Sequence, residues 1–206
     1  MTLAAWRPSG WRLSGDTARD AAAFLNAYGC PRTAAHSAAV AACAQELAAN
    51  FALDQPAAFH AGWLHDISAI WPVSERLAVA EGAGLPIYAE ERAAPLLLHQ
   101  RLSALLAEQV FAVHDAAVLS ALGCHTTLKA QAGALDLVLF VADKLAWDQA
   151  GEAPFHAEMR IAAETSLAAA ARVYLRYLWE QRASLPAVHP WLRDAWREYL
   201  PQLMGK

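Results

Sequence analysis

Aspartate caps in front of helically spaced apolar residues constrain the fold of this chain most. Asp16, Asp54 and Asp115 each stand just before such a segment. A short carboxylate there accepts the first-turn N–H groups that have no partner within the helix, so it marks a helix start. The spacing predicts helices over about 16–28, 33–50, 54–65, 74–81, 88–94, 97–111, 115–123, 134–147, 155–182 and 191–200. No segment alternates with the period of two that a half-buried strand requires, and no internal repeat is found. The expected fold class is all-α.

Breaks in this pattern divide the chain. Residues 1–15 hold Trp6, Pro8, Gly10, Trp11 and Gly15 without periodicity and read as a loose N-terminal arm. Pro72, Gly82, Gly84 and Pro86 interrupt 68–95, a segment suited to form a wall or lid of a cleft. The expected organisation is an arm (1–15), a helical domain carrying the functional site (16–150), and C-terminal helices (151–206). The last group either closes the same domain or offers a homodimer face.

Composition narrows the function classes. A 206-residue chain that is 57% hydrophobic and 17% charged can bury one sizeable core. No apolar run reaches the roughly 18–20 residues of a membrane helix; the longest candidate, 135–142, contains Asp136 and stops at Asp143. Arg7, Arg12 and Asp16 interrupt the N-terminus, which does not read as a signal peptide. Three cysteines without a CxxC spacing are expected as thiols of a cytoplasmic protein. A net charge of -4 argues against a nucleic-acid partner but not against a small phosphate compound.

Six polar residues occupy positions that the helical pattern assigns to apolar faces or their edges. His36 shares a face with Val40, Cys43 and Leu47. His65-Asp66 closes the apolar run 61–64. His99 lies with Leu102 and Leu106, His125 with Val118 and Leu122, and Asp143 with Leu135 and Leu139. A single buried histidine is readily satisfied by a backbone carbonyl. A buried carboxylate costs several kcal/mol unless it is paired or coordinates a metal. One site with one or two metal ions satisfies all six together. Mixed imidazole and carboxylate donors suit iron, manganese or zinc rather than magnesium or calcium.

The ordered set His36, His65-Asp66 and Asp143, with His99 and His125 between, resembles the HD-domain metal-dependent phosphohydrolases. The two additional histidines match the binuclear members. The runs His36-Ser37, Leu64-His65-Asp66, Leu98-His99, His125-Thr126 and Phe140-Val141-Ala142-Asp143 are similar to the YqeK family of symmetrical bis(5′-nucleosyl)-tetraphosphatases. The resemblance covers about 31–149 and implies an HD-domain helical bundle that cleaves diadenosine tetraphosphate into two ADP. It also implies two divalent transition metal ions, iron first, with manganese, cobalt or zinc as alternatives. Asp66 is then the bridging carboxylate and His65-Asp66 the catalytic pair. His36, His65 and Asp143 complete one ion's shell, and His99 and His125 hold the other.

The phosphate-binding elements depart from that family. Ala69 stands where a lysine is usual, and only Lys129 keeps a positive charge in the run 126–131. Ala146-Trp147-Asp148-Gln149 replaces a Glu-Pro-x-Arg element, and Arg32 stands one residue earlier than the family's arginine. Lys129, Arg101 and Thr126 are the expected phosphate contacts. Arg76, Arg92 and Lys144 are secondary candidates, each read first as a surface charge. Trp63 and Trp71 are candidate walls of a nucleotide pocket, although core packing explains them as well. His60, His114, His156 and His189 match nothing in the pattern. The missing basic residues keep other substrates open: a nucleoside monophosphate, a guanosine polyphosphate, or a nucleotide bound without turnover. A metal-free helical scaffold is the bland alternative.

Overall fold

A computed structural model of the protein describes residues 3–148 and 151–204. The chain is all-α, and no strand occurs among the described residues. The helices are α1 (Thr17–Ala27), α2 (Pro31–Asn50), α3 (Gln55–Leu64), α4 (Val73–Gly82), α5 (Ala89–Ala93), α6 (Leu98–Gln109), α7 (Ala116–Cys124), α8 (Ala134–Leu145), α9 (His156–Ala163), α10 (Leu167–Glu180), α11 (Pro190–Tyr199) and α12 (Pro201–Met204). Short 3-10 turns cover Leu3–Trp6, Ile67–Ile70 and Pro95–Leu97.

The three aspartates cap as their chemistry dictates. Asp16 accepts from the Arg19 amide at 3.1 Å, Asp54 from Ala57 at 2.9 Å, and Asp115 from Ala117 at 2.7 Å and Val118 at 3.1 Å. Helix α2 begins two residues before the expected start, because Pro31 is tolerated in a first turn where its missing N–H has no partner to lose. No helix among the described residues is long and apolar enough to cross a membrane.

At the centre, α2 and α3 pack face to face, with α8 against both and α7 against α3, α6 and α8. Alanines make this close approach feasible: Ala41, Ala44 and Ala48 of α2 and Ala58 and Ala61 of α3 are fully buried. Gly62 is the tightest point. A Cβ there would lie 2.4 Å from the Cα of Ala41, on backbone that cannot yield. Helix α10 packs on α8 and α9, and α11 packs on α10, where Trp196 Nε1 donates to Leu175 O at 2.9 Å.

Two expectations change. The single helix over 155–182 is two helices, because Ser166 turns out of the helix (φ -160°) and accepts from the Ala169 amide as the N-cap of α10. The apolar spacing runs on through this corner, so periodicity did not reveal it. The N-terminal arm is not loose. Leu3 is fully buried and its amide donates to Gln109 Oε1 at 2.8 Å, while Trp6 packs edge-on against Trp71 at 5.1 Å. Trp71 is thus a core residue held by the arm.

Gly62→Ala should drive α2 and α3 apart and destabilise the protein by about 3 kcal/mol, at the upper end of ordinary overpacking. Urea unfolding followed by circular dichroism measures this; an unchanged midpoint would show that the helices separate without cost.

Candidate metal centre

The site is built where helices end. His65 and His125 are the C-cap residues of α3 and α7. Carbonyls of a last turn lack intrahelical partners, so they are free to accept from a side chain. His65 Nδ1 donates to Gly62 O at 2.8 Å, and His125 Nδ1 to Leu122 O at 2.9 Å. His99, in the first turn of α6, donates from Nδ1 to Leu96 O at 2.6 Å across the preceding 3-10 turn. Each ring is anchored to the carbonyl three residues earlier. Because a carbonyl only accepts, Nδ1 carries the hydrogen and Nε2 is turned to the centre. His36 lies in the second turn of α2. Its Nε2 is 3.2 Å from Asp143 Oδ1 on α8.

Two groups result. His36, His65 and Asp143 form the first, with His65 Nε2 at 3.5 Å from Asp143 Oδ1. His65, Asp66 and His125 form the second, and His99 stands beside it with its Nε2 3.1 Å from His125 Nε2. Asp66 Oδ2 lies 3.6 Å from His65 Nε2, and Asp66 Oδ1 lies 3.6 Å from both His99 Nε2 and His125 Nε2. Donor atoms bound to one transition ion at about 2.0–2.1 Å sit roughly 3.0–3.5 Å from each other. The spacings of the first group, and of His99 to His125, are close to that. The donor set also fits a cation on charge grounds. With both Nδ1 atoms protonated, the Nε2 lone pairs of His99 and His125 point at one another, which a cation between them relieves. His65 Nε2 is fully buried and makes no hydrogen bond.

Protonation follows from this crowding. Burial is the strongest influence on His65 and favours its neutral form, but Asp66 and Asp143 outweigh it and push the imidazole up to about 9. Burial also opposes ionisation of both carboxylates. His65, His125 and His99 nonetheless pull Asp66 far below the usual range. Lys144, then His36 and His65, do the same for Asp143. Burial and the neighbouring His125 take His99 down to about 4 against the pull of Asp66, and burial lowers His125 as well. Ionised carboxylates and neutral imidazoles are the forms that ligate metal. A proton on His65 occupies the place that a cation would take.

A cleft of ≈ 540 Å³ opens onto the centre, lined by His36, Asp66, His99, Thr126 and Asp143, with Arg32, Thr33, Lys144, Trp147, Asp148 and Tyr174. Of the expected phosphate contacts, only Thr126 is there; its hydroxyl lies 2.8 Å from His99 Nε2. Lys129 is instead engaged by Asp136 at 3.1 Å and Ser120 at 2.5 Å. Arg101 is bound to the buried Glu91 at 2.7 Å and lies over the rings of Tyr88 and Trp191. Both are corrections with one cause: a nearer buried carboxylate claims the cation. Arg92 pairs with Glu81 at 2.6 Å, and Arg76 donates to the Trp71 and Leu96 carbonyls. Trp63 and Trp71 do not line the cleft.

Of the six further lining residues, the sequence marks Lys144 as a secondary phosphate candidate and Arg32, Trp147 and Asp148 only as departures from the family pattern; it does not single out Thr33 or Tyr174 as site residues. Lys144 is buried, not a surface charge, and its Nζ donates to Asp143 Oδ2 at 2.7 Å and to His125 O at 2.6 Å. The signal was a lysine next to an aspartate on an otherwise apolar helix. Arg32 reaches the cleft despite its shifted register. Trp147 and Asp148 come from the run that replaces the expected Glu-Pro-x-Arg element, and Asp148 Oδ2 lies 3.7 Å from His36 Nδ1. Gln149, the last position of that run, lies outside the described residues.

Comparison with known proteins agrees with this architecture. The HD domain family matches residues 33–148. A protein of Lactococcus lactis subsp. cremoris, described as an uncharacterized protein in the pepC 5′ region, is 38% identical over 159 residues, 77% of this chain and 80% of the relative. A crystal structure from Clostridium acetobutylicum superposes with a TM-score of 0.81 at 24% identity, covering 92% of this chain and 98% of the other. That protein is described as a predicted HD superfamily hydrolase involved in NAD metabolism. The chain belongs to the HD-domain family.

The Arg101–Glu91 pair generates two expectations. Arg101→Met should cost about 3–5 kcal/mol in urea unfolding, because it leaves a buried carboxylate without its cation. Burial alone would raise the Glu91 carboxyl, but the nearby His189 ring, the Tyr88 amide and Arg101 together hold it below the glutamate range. Its contribution to stability is therefore present above the unfolded value of about 4.3 and is lost as pH falls through the folded value. Glu91→Gln should flatten this acid limb of a stability–pH curve; an unaltered limb would show that Glu91 is not held ionised.

Proposed function

We propose that the protein is a metal-dependent nucleotide phosphohydrolase that cleaves diadenosine tetraphosphate symmetrically into two ADP. The observation carrying the hydrolase reading is the sharing of Asp66, whose Oδ2 faces His65 and whose Oδ1 faces His99 and His125. His36, His65, Asp66 and Asp143 would hold one divalent transition ion, and Asp66, His99 and His125 a second, iron being the first candidate. Ions held there would lower the pKa of a water and polarise the phosphoryl oxygen under attack. The substrate assignment rests on the runs around His36, His65, His99, His125 and Asp143 that are similar to the YqeK family.

The chain's own groups supply the rest. Arg32 offers positive charge to the phosphate chain, in place of Lys129 and Arg101, while Lys144 is committed to Asp143 and the His125 carbonyl. The Thr126 hydroxyl, next to His99, is a donor for a phosphate oxygen. Trp147 and Tyr174 give the cleft aromatic walls against which a base can stack. Lys144 holds Asp143 Oδ2, so that Oδ1 is the oxygen turned toward His36 and His65.

Protein loaded with iron, manganese or cobalt should release two ADP per diadenosine tetraphosphate, read by chromatography. AMP with ATP as products would refute symmetrical cleavage. Asp66→Asn should lower the rate by at least roughly 10²–10³-fold, the scale for losing one charge-stabilising group at a reaction centre. A second reading keeps the centre and changes the nucleotide, since the cleft has fewer basic groups than the resemblance implies. Initial rates on nucleoside monophosphates, guanosine polyphosphates and NAD, the last because of the Clostridium protein's description, separate the two.

A further inference from the structure

His36, His65 and Asp143 lie on or at the end of α2, α3 and α8, which pack directly on one another, and α6 and α7, which present His99 and His125 at their ends, pack on each other as well. These two ends of α6 and α7 are joined, in addition, by a side chain. Gln100, next to His99, is fully buried. Its Oε1 accepts from the backbone amides of Thr126 at 3.1 Å and Thr127 at 3.2 Å, the two residues directly after His125. Its Nε2 donates to Thr127 Oγ1 at 3.2 Å, and that hydroxyl donates in turn to Leu128 O at 2.9 Å. Thr127 is itself buried. The amides of 126 and 127 lie beyond the end of α7, where buried N–H groups must find partners outside the helix.

We infer that Gln100 is a positioning residue that sets the separation of His99 and His125, and thereby selectively the affinity for the second ion. This rests on the two-ion reading above. The mechanism is geometric. Each histidine is adjacent in the chain to one end of the Gln100 bridge, and each ring is fixed by its own Nδ1 bond. Moving the turn after His125 therefore moves an Nε2 atom. Groups that orient ligands in this way typically control metal affinity by about 10–100-fold.

The test is a titration of the metal-free full-length protein with Co²⁺ alone, following absorption and confirming stoichiometry by elemental analysis. The wild-type chain should bind two equivalents. Gln100→Met, close in volume but without an acceptor, should bind the first with unchanged affinity and the second about 10–100-fold more weakly. Gln100→Glu, which keeps an oxygen for both amides, should restore the second. Gln100→Asn, too short to reach the amides, carries the same expectation as Gln100→Met and serves if that variant does not fold. Wild-type affinity for both ions in Gln100→Met, or equal weakening of both, would overturn the assignment of Gln100. A wild-type chain that binds fewer than two equivalents would instead overturn the two-ion reading, and the inference with it.

Discussion

Asp66 is the constraint on which the rest of the structure turns. Its carboxylate stays ionised on the wall of the cleft, half-buried, a state that is costly unless opposite charge and donors stand around it. Three imidazoles stand around it at 3.6 Å, one on Oδ2 and two on Oδ1. At that distance the attraction is chiefly between charges rather than through short hydrogen bonds, and it is enough to hold the carboxylate ionised. The fold keeps this arrangement because each ring is pinned from behind by a backbone carbonyl.

That pinning explains why the site lies at helix ends. A carbonyl inside a helix is committed to its own ladder, whereas one in the last turn is free. His65 and His125 can therefore fix their tautomer locally, without a second side chain. His36 lacks this option inside α2, and its Nδ1 is buried without a hydrogen bond, with Asp148 Oδ2 nearby at 3.7 Å. Its placement depends instead on α2 lying hard against α3 and α8, which the alanines and Gly62 permit. Glycine at 62 thus has two roles: it lets the helices meet, and its carbonyl receives His65.

Much of this was legible in the chain. Asp16, Asp54 and Asp115 announced their helices because capping is local chemistry. His36, His65, Asp66, His99, His125 and Asp143 were legible because polar residues on apolar faces need a common explanation, and the structure brings all six together. Arg101, Lys129 and Lys144 were not legible. Whether a cation faces a cleft or a buried carboxylate depends on which acid comes nearest in space. Glu91 and Asp136 lie ten residues before Arg101 and seven after Lys129, separations from which no side-chain pairing follows. Ser166 was missed for a different reason: a serine cap inside an unbroken apolar pattern leaves no trace in periodicity.

The reassignment of the cations changes how the cleft could attract a polyphosphate. Lys144 already neutralises Asp143 Oδ2, which leaves Arg32 among the basic side chains on the cleft. On the proposed reading, most of the positive potential seen by a phosphate chain would then come from ions held by the six ligands rather than from lysine and arginine. A clamp made of side chains reads the length and bend of a phosphate chain through several fixed donors. A field centred on two ions acts on whichever phosphoryl group reaches them. On the same proposed reading, the chain's departures at Ala69 and across Ala146-Trp147-Asp148 would bear on selectivity more than on the chemistry itself, and the aromatic surfaces of Trp147 and Tyr174 would be the features through which one nucleotide is told from another.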